Sequence, residues 1–246
     1  MQSTKENFIY GFRAISETIK SGKPIDKILL RKGLKNELFN ELFQMIRDTG
    51  IPYQFVPQQK LDRITKKNHQ GAIAFISPVE FHNIEDILPQ LFEQGKNPFL
   101  LILDRITDVR NFGAIARSAE CAGVHAILIP HKNTASINED AVKTSAGALS
   151  KIRLCRTSSL EQTAKYLKSS GIQLVAASEK ASKEHFRIDF TFPTAVIMGS
   201  EDKGISNKLL EIADNLAKIP LIGDIASLNV SVATGIFLFE VVRQRR

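Results

Sequence analysis

The sequence has few of the features that mark secreted, disulfide-bonded or membrane proteins. Its 246 residues include only two cysteines, Cys121 and Cys155, and both lie in apolar stretches, which suits a reducing cytosol better than a disulfide scaffold. The longest apolar runs, such as 99–103 and 236–239, are far short of the about 20 residues that cross a bilayer. The first residues carry no basic segment followed by an apolar stretch. We therefore expect a cytoplasmic protein with no membrane span.

Several nucleotide-binding and metal-binding motifs are also missing. No G-x-G-x-x-G follows a predicted strand, and no G-x-x-x-x-G-K-[ST] occurs, which disfavours an ordinary NAD enzyme or NTPase. The five histidines are scattered, and the two cysteines are 34 positions apart. This spacing does not match a zinc site, so we expect no bound metal.

The charge of the chain is concentrated at one end. With 43% hydrophobic and 24% charged residues, the composition is that of a folded protein long enough for two domains. The formal net charge is +7, and residues 1–76 hold 13 Lys and Arg against 7 Asp and Glu, whereas 77–246 hold 20 against 19. This asymmetry indicates a polyanionic partner, most simply a nucleic acid, for the first third. The alternative is a soluble domain with many exposed lysines.

Hydrophobic periodicity predicts a small α/β unit in the first third of the chain. Ile9, Phe12, Ile15 and Ile19 recur at helical spacing, and a second helix is predicted to stop at Gly50. The runs KILLRKG, IPYQFVP and GAIAFI are typical of short strands. A connector over 78–83 and a helix over 84–93 should follow.

The rest of the chain predicts an α/β domain with a parallel sheet. FLLILD is a continuous apolar strand, followed by a helix over about 111–122 and the strand HAILIP. Further strands are predicted at IRLCR, IQLVAAS and TAVIMG, and further helices over 138–146, 160–169 and 206–212. The last helix, predicted over 227–243, should pack on the sheet through a face of Val232, Ile236, Phe239 and Val242.

Three polar junctions lie at predicted strand or helix ends, where α/β sheets place their sites. Their sequences are LDRITDVRNFGAIARSAECAG, VIMGSEDKGIS and IPLIGDIASLNVSVATGIFLFE. Taken singly, each has an ordinary structural explanation. Asn111 and Ser227 would be helix N-caps, Arg117 an exposed helix residue, Gly199 a point of close backbone approach and Glu201 a solvated turn residue.

Together and in this order, the junctions resemble the three signature motifs of the SpoU (TrmH-type) RNA ribose methyltransferases, members of the SPOUT class. The resemblance covers essentially the whole chain. IYGFRAI and NHQGAIA are also similar to the front domain of the family's 23S rRNA guanosine 2'-O-methyltransferases, which resembles the ribosomal protein L30e fold. The matching positions in the motifs are Asn111, Gly113, Arg117, Gly123, 141–149, Gly199, Glu201, Gly204 and 227–245. Many relatives have Pro in place of Val109 and a smaller residue in place of Phe112, and Phe12 and Arg13 also depart from the pattern.

The resemblance implies an α/β fold with two domains, a cofactor and a dimer. An L30e-like RNA-binding domain would span 1–76, a linker and first helix 77–97, and a trefoil-knotted SPOUT methyltransferase domain 98–246. S-adenosylmethionine would bind in the knot against the backbone around Gly199, Ile219, Leu221 and Leu228. A homodimer is expected, with the site close to the subunit interface.

The resemblance also implies five catalytic positions: Asn111, Arg117, Glu201, Ser227 and Asn229. Asn111, Ser227 and Asn229 would orient ribose and phosphate by neutral hydrogen bonds. Arg117 would engage the target phosphate and promote loss of the hydroxyl proton. Because a guanidinium has no acceptor, we favour stabilisation of the forming alkoxide over a role as base. Glu201 would support the site by holding either Arg117 or its own loop.

The resulting hypothesis is transfer of a methyl group from S-adenosylmethionine to the ribose 2'-hydroxyl of a guanosine in 23S rRNA. One alternative keeps the chemistry but acts on tRNA or another rRNA nucleotide; the front domain favours rRNA, because tRNA enzymes of this family commonly lack it. A second alternative is a non-catalytic RNA-binding factor in ribosome assembly. A small-molecule α/β enzyme is disfavoured because phosphate-binding glycines are missing.

Overall fold

The computed structural model describes residues 7–246 of the chain. Residues 1–6 lie outside the described part. They include half of the N-terminal segment whose sequence predicts no secretion signal. The chain divides into two compact units. The first, called the front unit here, comprises Met1–Glu80 and Ile137–Glu139, and the second, the sheet unit, comprises Phe81–Ser136 and Asp140–Arg246.

The front unit is built on a four-stranded sheet with the order β1-β4-β2-β3. β2 and β3 are parallel, and β4 is antiparallel to both β1 and β2. The strands are β1 (Phe8–Tyr10), β2 (Ile25–Arg31), β3 (Tyr53–Val56) and β4 (Ala72–Ile76). The helices are α1 (Phe12–Lys20), α2 (Glu37–Thr49) and α3 (Gln58–Ile64).

The start of the front unit differs from the sequence prediction. Ile9 lies in β1 opposite Ala74 and not in the first helix, because Gly11 interrupts the chain with a φ of 88° and α1 begins only at Phe12. The predicted end of the second helix is confirmed, since Gly50 takes the left-handed conformation with a φ of 66°. The short helix α3 after Pro57 was not predicted.

The two N-terminal motifs meet inside the front unit and support its fold. Gln70 accepts a hydrogen bond from the Phe12 backbone N–H at 3.2 Å through Oε1, and so caps the start of α1. His69 is buried, accepts from the Gly71 N–H at 3.0 Å through Nδ1, and has its Nε2 2.9 Å from Asp62 Oδ1. IYGFRAI and NHQGAIA therefore have a structural role that explains these residue types.

The sheet unit contains eight parallel strands in the order β10-β12-β9-β11-β6-β7-β8-β5. Its strands are β5 (Phe81–His82), β6 (Phe99–Asp104), β7 (Ala126–Pro130), β8 (Arg153–Thr157), β9 (Gln173–Ala177), β10 (Lys183–Glu184), β11 (Thr194–Gly199) and β12 (Asn215–Lys218). Its helices are α4 (Ile84–Glu93), α5 (Val109–Cys121), α6 (Glu139–Thr144, whose first residue is assigned to the front unit), α7 (Leu160–Ser169), α8 (Asn207–Ile212) and α9 (Val230–Gln244). The α/β fold with a parallel sheet is confirmed, while β5, β10 and β12 were not predicted. The trefoil knot stays a prediction.

Two predicted helix caps are wrong. Asp108, not Asn111, is the N-cap of α5, and its Oδ1 accepts the Asn111 backbone N–H at 2.7 Å. Asn229, not Ser227, is the N-cap of α9 and accepts from the Ser231 N–H at 2.9 Å. In both cases several capping residue types stand close together, so the sequence alone does not select among them.

The predicted inner face of the last helix is also wrong. Val232 and Phe239 are 52% and 50% exposed. The buried positions of α9 instead include Val230, Thr234, Phe237, Leu238 and Val241. Because apolar residues occur on both sides of α9, periodicity alone could not show which side meets the sheet.

The expectations about membrane spans, metal sites and cysteines can be compared with residues 7–246, which the structure describes. No helix in this range is long and apolar enough to span a bilayer. Nor do three or more His, Cys, Asp or Glu side chains in it cluster as metal ligands would. Cys121 is exposed at the end of α5 despite its apolar sequence neighbours, whereas Cys155 is buried on β8.

Candidate functional site

The parallel pairing of β6 and β11 brings the first two junctions to one edge of the sheet. The last residues of these strands, Asp104 and Gly199, are register partners. The chain leaves β6 to enter α5, and it leaves β11 into the loop that holds Glu201. Since the carboxyl ends of parallel strands share one edge, residues far apart in sequence meet there.

Three of the five predicted catalytic residues are joined by hydrogen bonds. Glu201 Oε1 accepts from Asn229 Nδ2 at 2.7 Å and from Asn111 Nδ2 at 3.4 Å. Asn229 Nδ2 also donates to Asn111 Oδ1 at 3.0 Å. The same Glu201 oxygen accepts the Val230 backbone N–H at 3.0 Å, which places a carboxylate at the positive end of α9. Glu201 thus connects residues of all three junctions by hydrogen bonds.

Gly199 allows the Glu201 loop to turn back against the strand. A Cβ at this position would lie 2.2 Å from the Gly204 carbonyl carbon and 2.3 Å from the Ile205 nitrogen. The loop is closed by the Gly204 N–H, which donates to the Ser200 carbonyl at 2.8 Å. Only glycine fits, so the close approach predicted at Gly199 is present.

An Arg–Asp pair that was not predicted from the sequence fixes the far end of this loop. Arg105 has a φ of 63°, and its Nη2 donates to the Gly204 carbonyl at 2.9 Å. Asp104 is buried and accepts the Ser206 backbone N–H at 2.7 Å, with Arg105 Nη2 3.5 Å from the same oxygen. The available signal was a charged pair placed directly after a buried strand.

A cavity of about 410 Å³ lies beside the loop. Its lining includes the four predicted cofactor-binding residues and two of the predicted catalytic ones: Gly199, Ile219, Leu221, Leu228, Glu201 and Ser227. Within residues 7–246, the backbone of 221–228 makes no hydrogen bond, so its N–H and C=O groups are available to a ligand. The lining also includes Ser178, Glu179 and Lys180 after β9, which sequence reasoning missed although they follow a neighbouring parallel strand.

Arg117 stands apart from this network. It is exposed on α5, six residues beyond Asn111, and its side chain makes no hydrogen bond or ion pair with any described residue of 7–246. Glu201 does not contact it and holds Asn111, Asn229 and the start of α9 instead. The Arg117 side chain is therefore free to meet a ligand. Gly113, on the same helix, has a different role: it faces α6, where a Cβ would lie 2.7 Å from the Thr144 side chain.

Comparison with known proteins agrees with this architecture. The family model of the SpoU rRNA methylases matches residues 98–239, and the model for substrate binding by RNA 2'-O ribose methyltransferases matches residues 8–82. A Bacillus subtilis (strain 168) protein, YacO, assigned to the TrmH family of tRNA/rRNA methyltransferases, is 32% identical over 99% of this chain and 98% of its own.

Two solved structures are similar over different lengths. An AdoMet-bound rRNA methyltransferase from Sinorhizobium meliloti aligns with a TM-score of 0.62 at 25% identity, covering 96% of this chain and 86% of its own. A TrmH/SpoU tRNA modifying enzyme from A. aeolicus aligns with a TM-score of 0.55 at 32% identity, covering 66% of this chain and 84% of its own. With its three junctions joined at one sheet edge and both family models matched, the chain belongs to the SpoU rRNA methylase family of RNA methyltransferases.

Proposed function

We propose that this enzyme transfers a methyl group from S-adenosylmethionine to the ribose 2'-hydroxyl of a guanosine in 23S rRNA. The observation that carries the proposal is the hydrogen-bonded group of Asn111, Glu201 and Asn229 at the N-terminus of α9, with Glu201 on the loop that lines the cavity. It offers polar groups that can orient a ribose next to a volume suited to a nucleoside-sized cofactor.

The front unit supports rRNA over tRNA as the substrate. Residues 8–82 match the substrate-binding model, and the S. meliloti rRNA methyltransferase aligns over 96% of this chain. The A. aeolicus tRNA modifying enzyme aligns over only 66% of it. The net charge of +6 over residues 1–76 would favour contact with RNA phosphates and make binding salt-dependent. We place the enzyme in rRNA processing in the cytoplasm.

The cavity fits S-adenosylmethionine by its size and by its backbone groups. When bound, the cofactor supplies an electrophilic methyl group on a sulfonium. Ile219, Leu221 and Leu228 would hold it, since the backbone of 221–228 has unpaired donors and acceptors beside apolar side chains. Gly199 would let the Glu201 loop close against β11 beside the cofactor, because a Cβ there would meet the Gly204 backbone. We infer that the trefoil knot lies in this segment.

Positioning supplies much of the rate in such a reaction, because the acceptor oxygen must lie in line with the methyl carbon and sulfur. Asn111, Asn229 and Ser227 would orient the ribose and its phosphate through neutral hydrogen bonds, which do not neutralise the cationic sulfonium of the cofactor. Glu201 would keep Asn111 and Asn229 in place, since its Oε1 accepts from both. It acts as a positioning residue.

Arg117 would bind the target phosphate and stabilise the alkoxide that forms at the 2'-oxygen. A guanidinium has no acceptor and stays charged, so it is not the base. The substrate phosphate or a water would take the proton. The Arg117 side chain is exposed and has no hydrogen-bond or ion-pair partner among residues 7–246, so its donors are available for this contact.

We also propose that the enzyme is a homodimer with its site near the interface. The exposed apolar side chains of Val232 and Phe239 lie on the same side of α9, seven residues apart. Burial of large apolar side chains against a second copy would remove them from water.

Methyl transfer can be tested with labelled S-adenosylmethionine and unmodified rRNA or tRNA, followed by mapping of alkali-resistant positions. We expect label at one guanosine of 23S rRNA and none in tRNA. Label confined to tRNA would overturn the substrate class and leave the chemistry intact. No label in either RNA, with no cofactor binding in calorimetry, would support the non-catalytic RNA-binding alternative.

A further inference from the structure

Four aromatic rings form a cluster where α2 packs against β3 in the front unit. Phe39 and Phe43 stack with centroids 5.5 Å apart, and Phe43 and Tyr53 form a T-shaped pair with centroids 5.2 Å apart. Tyr53 and Phe55 stand on the same side of β3, with an edge-to-face separation of 5.8 Å. The rings therefore form one continuous surface with fixed geometry.

The outer half of this cluster is exposed. β3 is the edge strand of its sheet, and Tyr53 and Phe55 are 37% and 39% exposed. Between α2 and the sheet, the interior is filled by other residues, including Leu42 and Ile46, which are fully buried. Tyr53 and Phe55 thus leave aromatic surface in contact with solvent, outside the buried interior of the unit.

Positive charge surrounds the end of β3. Arg31 pairs in register with Val56, directly after Phe55, and the Lys32 backbone N–H donates to the Val56 carbonyl at 3.1 Å. The segments 31–35 and 57–67, which flank this end, hold seven Lys and Arg and one carboxylate, Asp62. The Asp62 carboxylate is hydrogen-bonded to His69.

Three further carboxylates near these segments belong to α2. Glu37 lies in its first turn, where it is favourable for the helix, and Glu41 follows one turn later. Asp48 lies in the last turn and accepts from Gln44 Nε2 at 2.7 Å. All three are exposed, and none of them belongs to the segments 31–35 and 57–67. The surface is therefore aromatic along β3 and cationic beyond Val56.

We propose that Tyr53 and Phe55 form a stacking platform for unpaired bases of the RNA substrate. In this arrangement Arg31, Lys32 and Lys60 hold the phosphates of the same strand. Bases stack on aromatic rings only when they are splayed out of a helix, so the platform selects single-stranded loops, bulges or ends over duplex. The proposal rests on RNA being the substrate, and it names which part of that RNA the front unit binds.

The sequence contains no tryptophan, which permits a clean optical test. Tyr53→Trp in the full chain introduces a single indole on the platform. Phe92→Trp serves as the matched control, because Phe92 is similarly exposed, at 42%, but lies on α4 in the sheet unit. We expect single-stranded RNA to quench the indole emission of the Tyr53→Trp variant saturably, and duplex RNA to change it little. The indole emission of the Phe92→Trp variant should respond to neither RNA.

Affinity measurements separate stacking from charge. Tyr53→Leu with Phe55→Leu keeps apolar packing and removes the rings, and it should weaken single-stranded RNA binding by about 5- to 150-fold per stacked base without altering the salt dependence. Lys32→Gln should instead lower the slope of log affinity against log salt by about one contact. Unchanged thermal unfolding of each variant would show that the fold is kept.

Three outcomes would overturn the platform. One is that an RNA which the Tyr53→Trp variant still methylates fails to quench its indole emission. That result would overturn the platform but not the proposed methyl transfer. Another is equal RNA affinity for the double leucine variant and the parent. The third is an indole in the Tyr53→Trp variant that responds to ribosomal proteins but to no RNA, which would make the surface a protein docking site.

Discussion

Glu201 and Asn229 are 28 residues apart in sequence, yet the Asn229 side-chain amide donates to Glu201 Oε1 at 2.7 Å. The same oxygen accepts the Val230 N–H, so one carboxylate both orients a site asparagine and stabilises the first turn of α9. The start of α9 is therefore coupled to the end of β11. Disturbing either should move the polar groups of the site.

Glu201→Ala should lower single-turnover methyl transfer at saturating RNA by about 100-fold, because Asn111 and Asn229 lose their shared acceptor and shift from reacting geometry. Glu201→Gln keeps an acceptor oxygen and should retain most of the rate. Calorimetry on both variants gives the cofactor affinity separately. Equal rates for the alanine variant and the parent would show that this hydrogen-bond group does not position the substrate.

Arg117→Gln should lower the methyl-transfer rate by about 100-fold or more, since a charged donor to the forming alkoxide is lost. Arg117→Lys tests geometry against charge. Near-normal turnover of the lysine variant would show that positive charge suffices and the planar fork is dispensable. Neither change should shift the melting temperature, because the Arg117 side chain is exposed and makes no hydrogen bond or ion pair with any described residue of 7–246.

Gly199→Ala should cost about 1 to 3 kcal/mol of folding stability and weaken S-adenosylmethionine binding, because its Cβ would fall 2.2 Å from the Gly204 carbonyl carbon. Gly235→Ala is the matched control, since a Cβ there meets only the Ser118 hydroxyl oxygen, at 3.9 Å. Thermal unfolding and calorimetry are the measurements. A stable, cofactor-binding Gly199→Ala variant would contradict the close approach.

Burial raises the pKa of the Cys155 thiol to about 12, from an ordinary value of 9.0. Between these values the unfolded chain binds fewer protons than the folded chain, so the stability from the neutral thiol is present below about pH 9 and is lost as pH rises toward 12. The free energies of unfolding that urea titrations give for the parent and for Cys155→Ala should therefore converge as the pH is raised through this range. A constant difference between the two chains would contradict the shift.

Phe239→Glu should convert the proposed dimer to monomers, because a charge would replace an apolar side chain at the interface. Phe92→Glu is the control, as Phe92 is also exposed but lies on α4. Light scattering after size exclusion gives the mass of each variant. A parent chain that runs as a monomer, or a Phe239→Glu variant that stays dimeric, would rule out this face.

The sequence determined the elements whose signals are local. The continuous apolar run of β6 could only be a strand covered on both sides, and Gly50 ended α2 because it tolerates a positive φ. The motif residues also defined the family, since Asn111, Glu201 and Asn229 occur in the order that the SpoU resemblance requires. Short elements such as β10 and β12 lacked sufficient length for a periodic pattern.

Only the tertiary structure decided which of these residues touch. Parallel pairing of β6 with β11 set Asp104 beside Gly199 and brought Glu201 to Asn111 and Asn229, whereas the sequence left open whether Glu201 holds Arg117. It also turned Val232 and Phe239 outward, because both sides of α9 are apolar and only packing against the sheet selects one. Hydrophobic patterning specifies what a residue can bury, but contact across the sheet depends on strand order, which no local pattern records.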